Sequence, residues 1–259
     1  ITNRKQAEEK LKYLGLHDSL TGLHNRSYFE EEMRKITEKI CTSAAIIMCD
    51  VDGLKLVNDT MGHKAGDKLL IEAADVITKS LEGGGVVSRI GGDEFAILLV
   101  NQSKEKVEEM CNRIHRNTQE YNSKNPTIPL SISTGYAYCE ANPVNISDLY
   151  KEADNNMYRE KLSHSQSARS AIVQTLIKTL EARDYITEGH ADRLQELVAA
   201  LAKSVGLPER KVSDLRLLAQ FHDIGKVGIP DRILFKPGQL SREEVQIMRR
   251  HSEIGYRIA

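Results

Sequence analysis

Asp50 closes an apolar run, and Asp93 and Glu94 follow 43 residues later, directly behind Gly91 and Gly92. Carboxylates at a strand end and at the tip of a hairpin on a neighbouring strand can converge on one point. Hard oxygen ligands with open positions suit Mg2+ held together with substrate phosphates. The two glycines carry no side chains, so backbone there can approach a phosphate-bearing ligand closely. Taken alone, Gly-Gly-Asp-Glu also reads as a plain turn. A second set, His190, His222, Asp223 and His251, is spread over three segments of helical pattern. Imidazole and carboxylate are ligands for transition metals. Singly, each of these histidines also reads as a surface or capping residue.

The elements that must position these groups follow from periodicity. Ala44 to Cys49 is short and rich in β-branched residues, as a strand is, and ends in Asp50-Val-Asp-Gly53. Val86–Ile90 and Phe95–Val100 flank the Gly-Gly-Asp-Glu tip as a hairpin. Ile128–Tyr138 reads as a further strand. Lys64–Leu81, the segment around Val107, Met110 and Ile114, and Ile146–Lys161 show helical spacing. Strands alternating with helices indicate an α/β domain over residues 17–164. After the polar junction Ser163–Ser170 the strands stop. Ala171–Glu181, Gly189–Val205, Pro208–Phe221 and Ser241–Ile258 are all helical in pattern, with a capping box at Ser241 and Glu244 and Pro208 in a first turn. The second region, 171–259, is therefore all-α, joined through a linker at 165–170. In front, Ala7, Leu11 and Leu14 make residues 1–16 an exposed or self-associating helix.

Composition excludes several classes. In 259 residues, 36 Lys and Arg balance 37 Asp and Glu for a net charge of −1. The two regions carry about −4 and +3, so neither is a basic nucleic-acid surface. No apolar run approaches the roughly 20 residues that span a bilayer, and the polar start, Ile1-Thr-Asn-Arg-Lys-Gln, has no signal-peptide core. Cys41, Cys49, Cys111 and Cys139 lack metal spacing and read as reduced, buried thiols in a cytoplasmic protein.

Arg89-Ile-Gly-Gly-Asp-Glu-Phe95 resembles the signature of the GGDEF family of diguanylate cyclases. Asp18-Ser-Leu-Thr-Gly-Leu-His-Asn-Arg26 resembles its entry motif. Asp50-Val-Asp-Gly-Leu-Lys55, Val57-Asn-Asp-Thr-Met-Gly-His63 and Gly66-Asp67 resemble its metal and guanine segments. Ala153-Asp154, Met157-Tyr158 and Lys161 resemble its last helix. The resemblance implies a palm-like, mostly antiparallel sheet flanked by helices, and condensation of two GTP into cyclic di-GMP and two pyrophosphates. It also implies that Asp50, the Val51 carbonyl and Asp93 hold Mg2+, and that Glu94 assists the 3′-hydroxyl or a second metal. Asn58 and Asp67 would read the guanine edge, since a carboxylate only accepts hydrogen bonds while an amide does both. Leu54 would pack on the base, Lys55 and Lys161 would meet the phosphates, and His63 belongs to the same loop. A two-fold product built from one GTP per domain implies a homodimer. Residues 1–8 resemble the tail of a PAS sensor domain, which would lie upstream. Two departures stand out. Glu82-Gly-Gly-Gly85 replaces the family's inhibitory Arg-x-x-Asp, and Ser165 replaces an Arg that follows the last-helix Lys, which weakens the expected hold on the triphosphate.

His222-Asp-Ile-Gly-Lys226, with Gly228-Ile-Pro-Asp231, Leu234-Phe-Lys-Pro-Gly238, Thr187-Glu-Gly-His190 and Met248-Arg-Arg-His251, resembles the front of an HD-GYP phosphodiesterase domain. The resemblance implies iron or manganese on His190, His222, Asp223 and His251, with Lys226 on the phosphate of cyclic di-GMP. Ile186 stands where some members carry an extra Glu ligand, so a third metal is not expected. The Gly-Tyr-Pro signature and its companion ligands are expected beyond Ala259, so the segment by itself is expected not to hydrolyse cyclic di-GMP. Three functions compete. The first is a cyclase, the second a GTP-binding regulator of the second domain, and the third a dimerisation scaffold, which would give no reason for the intact acid set.

Overall fold

A computed structural model describes residues 13–38, 42–81, 84–124, 128–140, 145–183 and 190–258. The chain packs as two compact units, one from residues up to 54 with 67–169, the other from 55–66 with residues from 170 onward.

The first unit is built on a five-stranded sheet. Its strands are β1 (His24–Asn25), β2 (Ala44–Val51), β3 (Val86–Arg89), β4 (Glu94–Val100) and β5 (Ile132–Cys139). Their order is β1-β3-β4-β2-β5. Only β1 and β3 run parallel; β3–β4, β4–β2 and β2–β5 are antiparallel. Every residue of β2 is buried, which is why its sequence is a continuous apolar run rather than an alternation. Ala44, Ile46 and Met48 share one core with Phe29, Ile36, Ala153 and Met157. That core joins β2 to helices α1 (Arg26–Glu38) and α5 (Ile146–Arg183). By the period of two along a strand, Ala45, Ile47 and Cys49 point to the opposite face. There α4 (Lys104–Ser123) buries Val107, Met110, Cys111 and Ile114. Between β2 and β3 the chain forms α2 (Leu54–Met61) and α3 (His63–Ser80). Gly62 separates them at φ +85, a conformation that suits a residue without Cβ.

Two expectations shift here. The strand expected from Ile128 begins at Ile132, because Pro129 lacks an N–H and Asn122 takes both backbone groups of Leu130 (Leu130 N–H to Oδ1 at 2.9 Å, Nδ2 to Leu130 O at 2.7 Å). The polar stretch Ser163–Ser170, expected as a junction, lies inside the continuous 38-residue α5. It contains no Gly or Pro, so nothing in it stops a helix already nucleated on the sheet. Of the expected helix 1–16, only the last turn, residues 13–16, is among the described residues. The following entry segment is tied down by Asp18, which accepts from the Thr21 N–H (2.8 Å), the Thr21 hydroxyl (2.7 Å) and Arg89 (3.1 Å). Burial pushes the Asp18 carboxyl up, but these hydrogen bonds outweigh it and hold the group below its ordinary value.

The second unit is helical: α6 (His190–Ser204), α7 (Glu209–Phe221), a 3-10 turn Ile224–Gly228, α8 (Asp231–Leu234), α9 (Arg242–Arg249) and α10 (His251–Ile258). Ala199, Ala202 and Val212 form a small core between α6 and α7. Pro208 caps α7 rather than entering it. The capping box is present, with Ser241 N–H donating to Glu244 at 2.7 Å and Glu244 N–H to Ser241 Oγ at 3.3 Å. The helix expected from Ser241 to Ile258 is broken at Arg250. Its second half lies so close to the 3-10 turn that a Cβ on Gly225 would sit 1.8 Å from the His251 carbonyl oxygen. Among the described residues, no helix is long and apolar enough to cross a membrane.

Candidate functional site

The antiparallel register sets Asp50 directly opposite Glu94 on β4 and Ser133 on β5. Paired residues of neighbouring strands share a face, so two acids lie side by side at the end of the sheet. Beyond the pair, Val51 N–H donates to the Asp93 carbonyl at 2.9 Å. Asp50, Val51, Asp93 and Glu94 are thus neighbours across β2 and the hairpin. The hairpin tip is tight, with Ile90 and Gly91 N–H both donating to the Glu94 carbonyl, at 3.0 and 3.3 Å. A Cβ on Gly91 would meet Glu94 Oε2 at 2.5 Å, whereas one on Gly92 would meet open space. A side chain at position 91 would therefore push the Glu94 carboxylate aside. Arg89 braces the tip by donating to the Gly92 carbonyl at 2.7 Å.

Lys161 reaches this point from α5. Ala153, Met157 and Lys161 recur every four residues, so the row that packs on β2 continues into the lysine. Its Nζ donates to Asp50 Oδ2 at 2.7 Å. Asp50 is only 3% exposed, and its other oxygen, Oδ1, is buried with no hydrogen-bond partner. Burial pushes the Asp50 carboxyl up to about 6; Lys161 opposes this, while Asp93 and Asp52 add to it. Burial also opposes the Lys161 ammonium, but Asp50, Asp93 and Asp52 outweigh it and raise its pKa. In the metal-free protein the Asp50 carboxyl carbon is expected to titrate near pH 6 by NMR. Because protons and cations compete for one carboxylate, apparent Mg2+ affinity is expected to rise as pH passes through that value. A pH-independent affinity between 5 and 7 would contradict this.

A buried oxygen without a partner beside a second carboxylate and a backbone carbonyl fits a hard divalent cation. Among the described residues no three His, Cys, Asp or Glu side chains converge as a complete metal shell.

Asp52 is a residue the sequence reading passed over. It is 3% exposed and accepts from Ser131 Oγ at 2.7 Å and Ser133 Oγ at 2.9 Å, while its N–H donates to the Ser131 carbonyl at 3.0 Å. It ties the end of β2 to β5 and adds negative charge beside Asp50. The Asp-x-Asp spacing was the available signal.

Leu54 is buried at the start of α2, where it is part of the interior. Lys55 is exposed and Asn58 half-buried on the same helix; His63 and Asp67, one turn apart on α3, are exposed. Lys55, Asn58 and His63 lie in the stretch 55–66 that packs with the second unit.

In the second unit His222 Nε2 lies 3.3 Å from Asp223 Oδ2, and Lys226 Nζ donates to the same oxygen at 2.7 Å. His222 Nδ1 bonds the Ala219 carbonyl at 2.9 Å and His251 Nδ1 the Met248 carbonyl at 2.7 Å. The other nitrogen of His251, Nε2, stands 3.3 Å from Ser252 Oγ. His190 begins α6.

A mostly antiparallel sheet that carries an acid pair across the ends of two adjacent inner strands, β2 and β4, with helices on both faces, defines a palm-like nucleotide-cyclase fold. The family model described as "Diguanylate cyclase, GGDEF domain" matches residues 15–167, and the chain belongs to that family. Residues 174–259 match the HD domain. The chain is 32% identical over 155 residues to the probable diguanylate cyclase DgcT of Escherichia coli K12, covering 58% of this chain and 34% of that protein. It is 31% identical over 156 residues to the cyclic di-GMP phosphodiesterase PdeB of Shewanella oneidensis, covering 60% of this chain and 18% of that one. The chain thus spans about a third of the length of the first of these relatives and under a fifth of the second. Among solved structures, the diguanylate cyclase SiaD of Pseudomonas aeruginosa, in complex with its activator SiaC, superposes with a TM-score of 0.52 at 26% identity. That match covers 62% of this chain and 64% of SiaD.

Proposed function

We propose that residues 17–164 form a diguanylate cyclase domain that condenses two GTP into cyclic di-GMP and two pyrophosphates, acting as a homodimer in the cytoplasm. The observation that supports this reading best is the buried, unpartnered oxygen of Asp50 beside Asp93, Glu94 and Lys161. Asp50, Asp93 and the Val51 carbonyl would hold Mg2+, which would lower the pKa of the attacking 3′-hydroxyl and neutralise the leaving pyrophosphate. Each 3′-oxygen attacks the α-phosphorus of the partner's GTP, and the bond to pyrophosphate breaks as the new ester forms. Glu94, next to the metal acids, is placed to accept the hydroxyl proton. Lys161, which rests on Asp50, would be the cation that meets the triphosphate. Asn58 and Asp67 hydrogen-bond guanine, with Leu54 beside the base, Lys55 toward the phosphates and His63 shaping the loop. The balanced net charge suits such a site, which needs local acids and a few placed cations rather than a basic surface.

The α5 segment 165–170 serves as a helical linker to an HD-GYP-type domain from residue 171. There His190, His222, Asp223 and His251 would hold iron or manganese, and Lys226 would neutralise a phosphate of cyclic di-GMP. An upstream sensor of PAS type would act through the helix that ends at Leu16.

The test is incubation of the purified chain, dimerised through an added coiled coil, with GTP and Mg2+, followed by chromatography for cyclic di-GMP. Product from wild type and none from Asp93→Ala is expected; equal product from both rejects the reading. GTP binding by calorimetry without turnover favours the second reading, a GTP-responsive regulator of the HD domain. The likeness to a protein named as a cyclic di-GMP phosphodiesterase favours that alternative.

A further inference from the structure

β5 is an edge strand, so alternate backbone groups along it face away from the sheet without ladder partners. Helix α5 supplies those partners from a second row of side chains. Asn156 Nδ2 donates to the Tyr136 carbonyl at 3.0 Å, and one turn later Glu160 Oε2 accepts the Thr134 N–H at 2.6 Å. Glu160 also accepts the Thr134 hydroxyl at 3.1 Å. From α4, His115 Nε2 stands 3.1 Å from that hydroxyl and 3.4 Å from Glu160 Oε1. One carboxylate therefore joins α4, β5 and α5. Its neighbour in sequence is Lys161, whose ammonium rests on Asp50.

Successive helical residues are about 100° apart. Rolling α5 enough to release Glu160 from the strand edge would swing Lys161 along the sheet face by a similar arc. Thr134 also pairs with Cys49, immediately before Asp50. The carboxylate thus grips the strand one residue away from the pair that faces the metal acid. We propose that Glu160, braced by His115, is a positioning residue that fixes the rotation of α5 so that Lys161 faces Asp50 and the triphosphate site. The part of this that concerns turnover rests on the cyclase reading; the part that concerns the Lys161–Asp50 contact does not.

A groove of about 500 Å³ opens beside the cluster, lined among others by His115, Thr134, Tyr136, Asn156 and Glu160. Water there can take up the hydrogen bonds that truncation leaves, so Glu160→Ala is expected to fold.

The test has two arms. In nucleotide-free and metal-free protein, the Lys161 ammonium is observed by 15N NMR and assigned by its loss in Lys161→Ala. Its proton exchange is expected to speed up at least about tenfold in Glu160→Ala and to return toward wild type in Glu160→Gln, which keeps an acceptor for the Thr134 N–H. Unchanged exchange in folded Glu160→Ala overturns the proposal. The second arm is a double-mutant cycle on cyclic di-GMP formation. Glu160→Ala is expected to lower kcat/KM about tenfold with Lys161 present and less than twofold in the Lys161→Ala background. Equal losses in both backgrounds mean a general structural role and overturn it. If wild type makes no cyclic di-GMP, the cyclase reading falls and the NMR arm alone decides the positioning. Should Glu160→Ala melt below the assay temperature, His115→Ala carries both arms under the same criteria, with about a threefold effect.

Discussion

Asp50→Asn is expected to reduce cyclic di-GMP formation by at least about 10³-fold while making the metal-free protein more stable at neutral pH. The first half follows from chemistry. An amide carries no charge for the cation and cannot replace a carboxylate oxygen at the end of β2. The second half follows from where the carboxylate sits. Asp50 is buried, one of its oxygens has no partner, and Asp93 and Asp52 stand nearby. Its pKa in the folded chain, about 6, lies above the 3.8 of an ordinary Asp. The native state therefore binds the proton more tightly than the unfolded state. Stability falls as pH rises from about 4 to about 6, and the full penalty is present above that window. A neutral Asn of the same shape removes a penalty of about 3 kcal/mol, less what the contact with Lys161 contributes. Lys161 loses its partner but is one-third exposed and can turn to water. Melting of the metal-free variant at pH 7.5 is expected to rise by about 2–4 °C, with no gain at pH 4. A fall at pH 7.5, or retained turnover, would show that Asp50 is an ordinary structural carboxylate. Opposite effects on activity and stability are expected because the buried, partly unpartnered carboxylate costs the fold stability whether or not it serves the chemistry.

A large loss of stability is expected from Gly135→Ala. Gly135 lies in β5 where α5 crosses it, and an added Cβ would stand 1.9 Å from the Met157 nitrogen, 2.5 Å from its Cα and 2.6 Å from the Ala153 carbonyl oxygen. All three atoms belong to the helix backbone, so no rotamer change relieves the clash. Either α5 moves out by more than an ångström or β5 gives way. Overpacking of this kind costs about 3 kcal/mol or more. Urea unfolding followed by circular dichroism is expected to show a midpoint lowered accordingly, with the slope unchanged. A change under about 0.5 kcal/mol would mean that α5 does not seat on the strand this closely. Since Lys161 lies one turn beyond Met157, any variant that folds is also expected to lose the Lys161–Asp50 contact.

The parts legible in advance were those written in local pattern. The apolar run of β2, the glycine hairpin with its acids, the capping box and the helical spacing of α3, α4 and α5 each depend on residues within a few positions of one another. The boundaries that moved have local causes too. Pro129 delayed β5, and the lack of Gly or Pro in Ser163–Ser170 let α5 run on. The His222–Asp223–Lys226 cluster was visible as a motif because its members are near neighbours in the chain.

By itself the amino-acid sequence determined which groups exist for chemistry: Asp50, Asp93 and Glu94 at strand ends, and histidines with an Asp in the helical region. Periodicity says which face of an element is apolar, but not which residue of a distant element that face will meet. The contact of Lys161 with Asp50 joins residues 111 apart. The grip of Glu160 on Thr134 joins residues 26 apart, and the Asp52–Ser133 tie spans 81. Each depends on the register of β2 against β5 and on the rotation of α5 over both, which packing across the whole sheet decides. The same packing buries one oxygen of Asp50 without a hydrogen-bond partner, which no local pattern could have foretold.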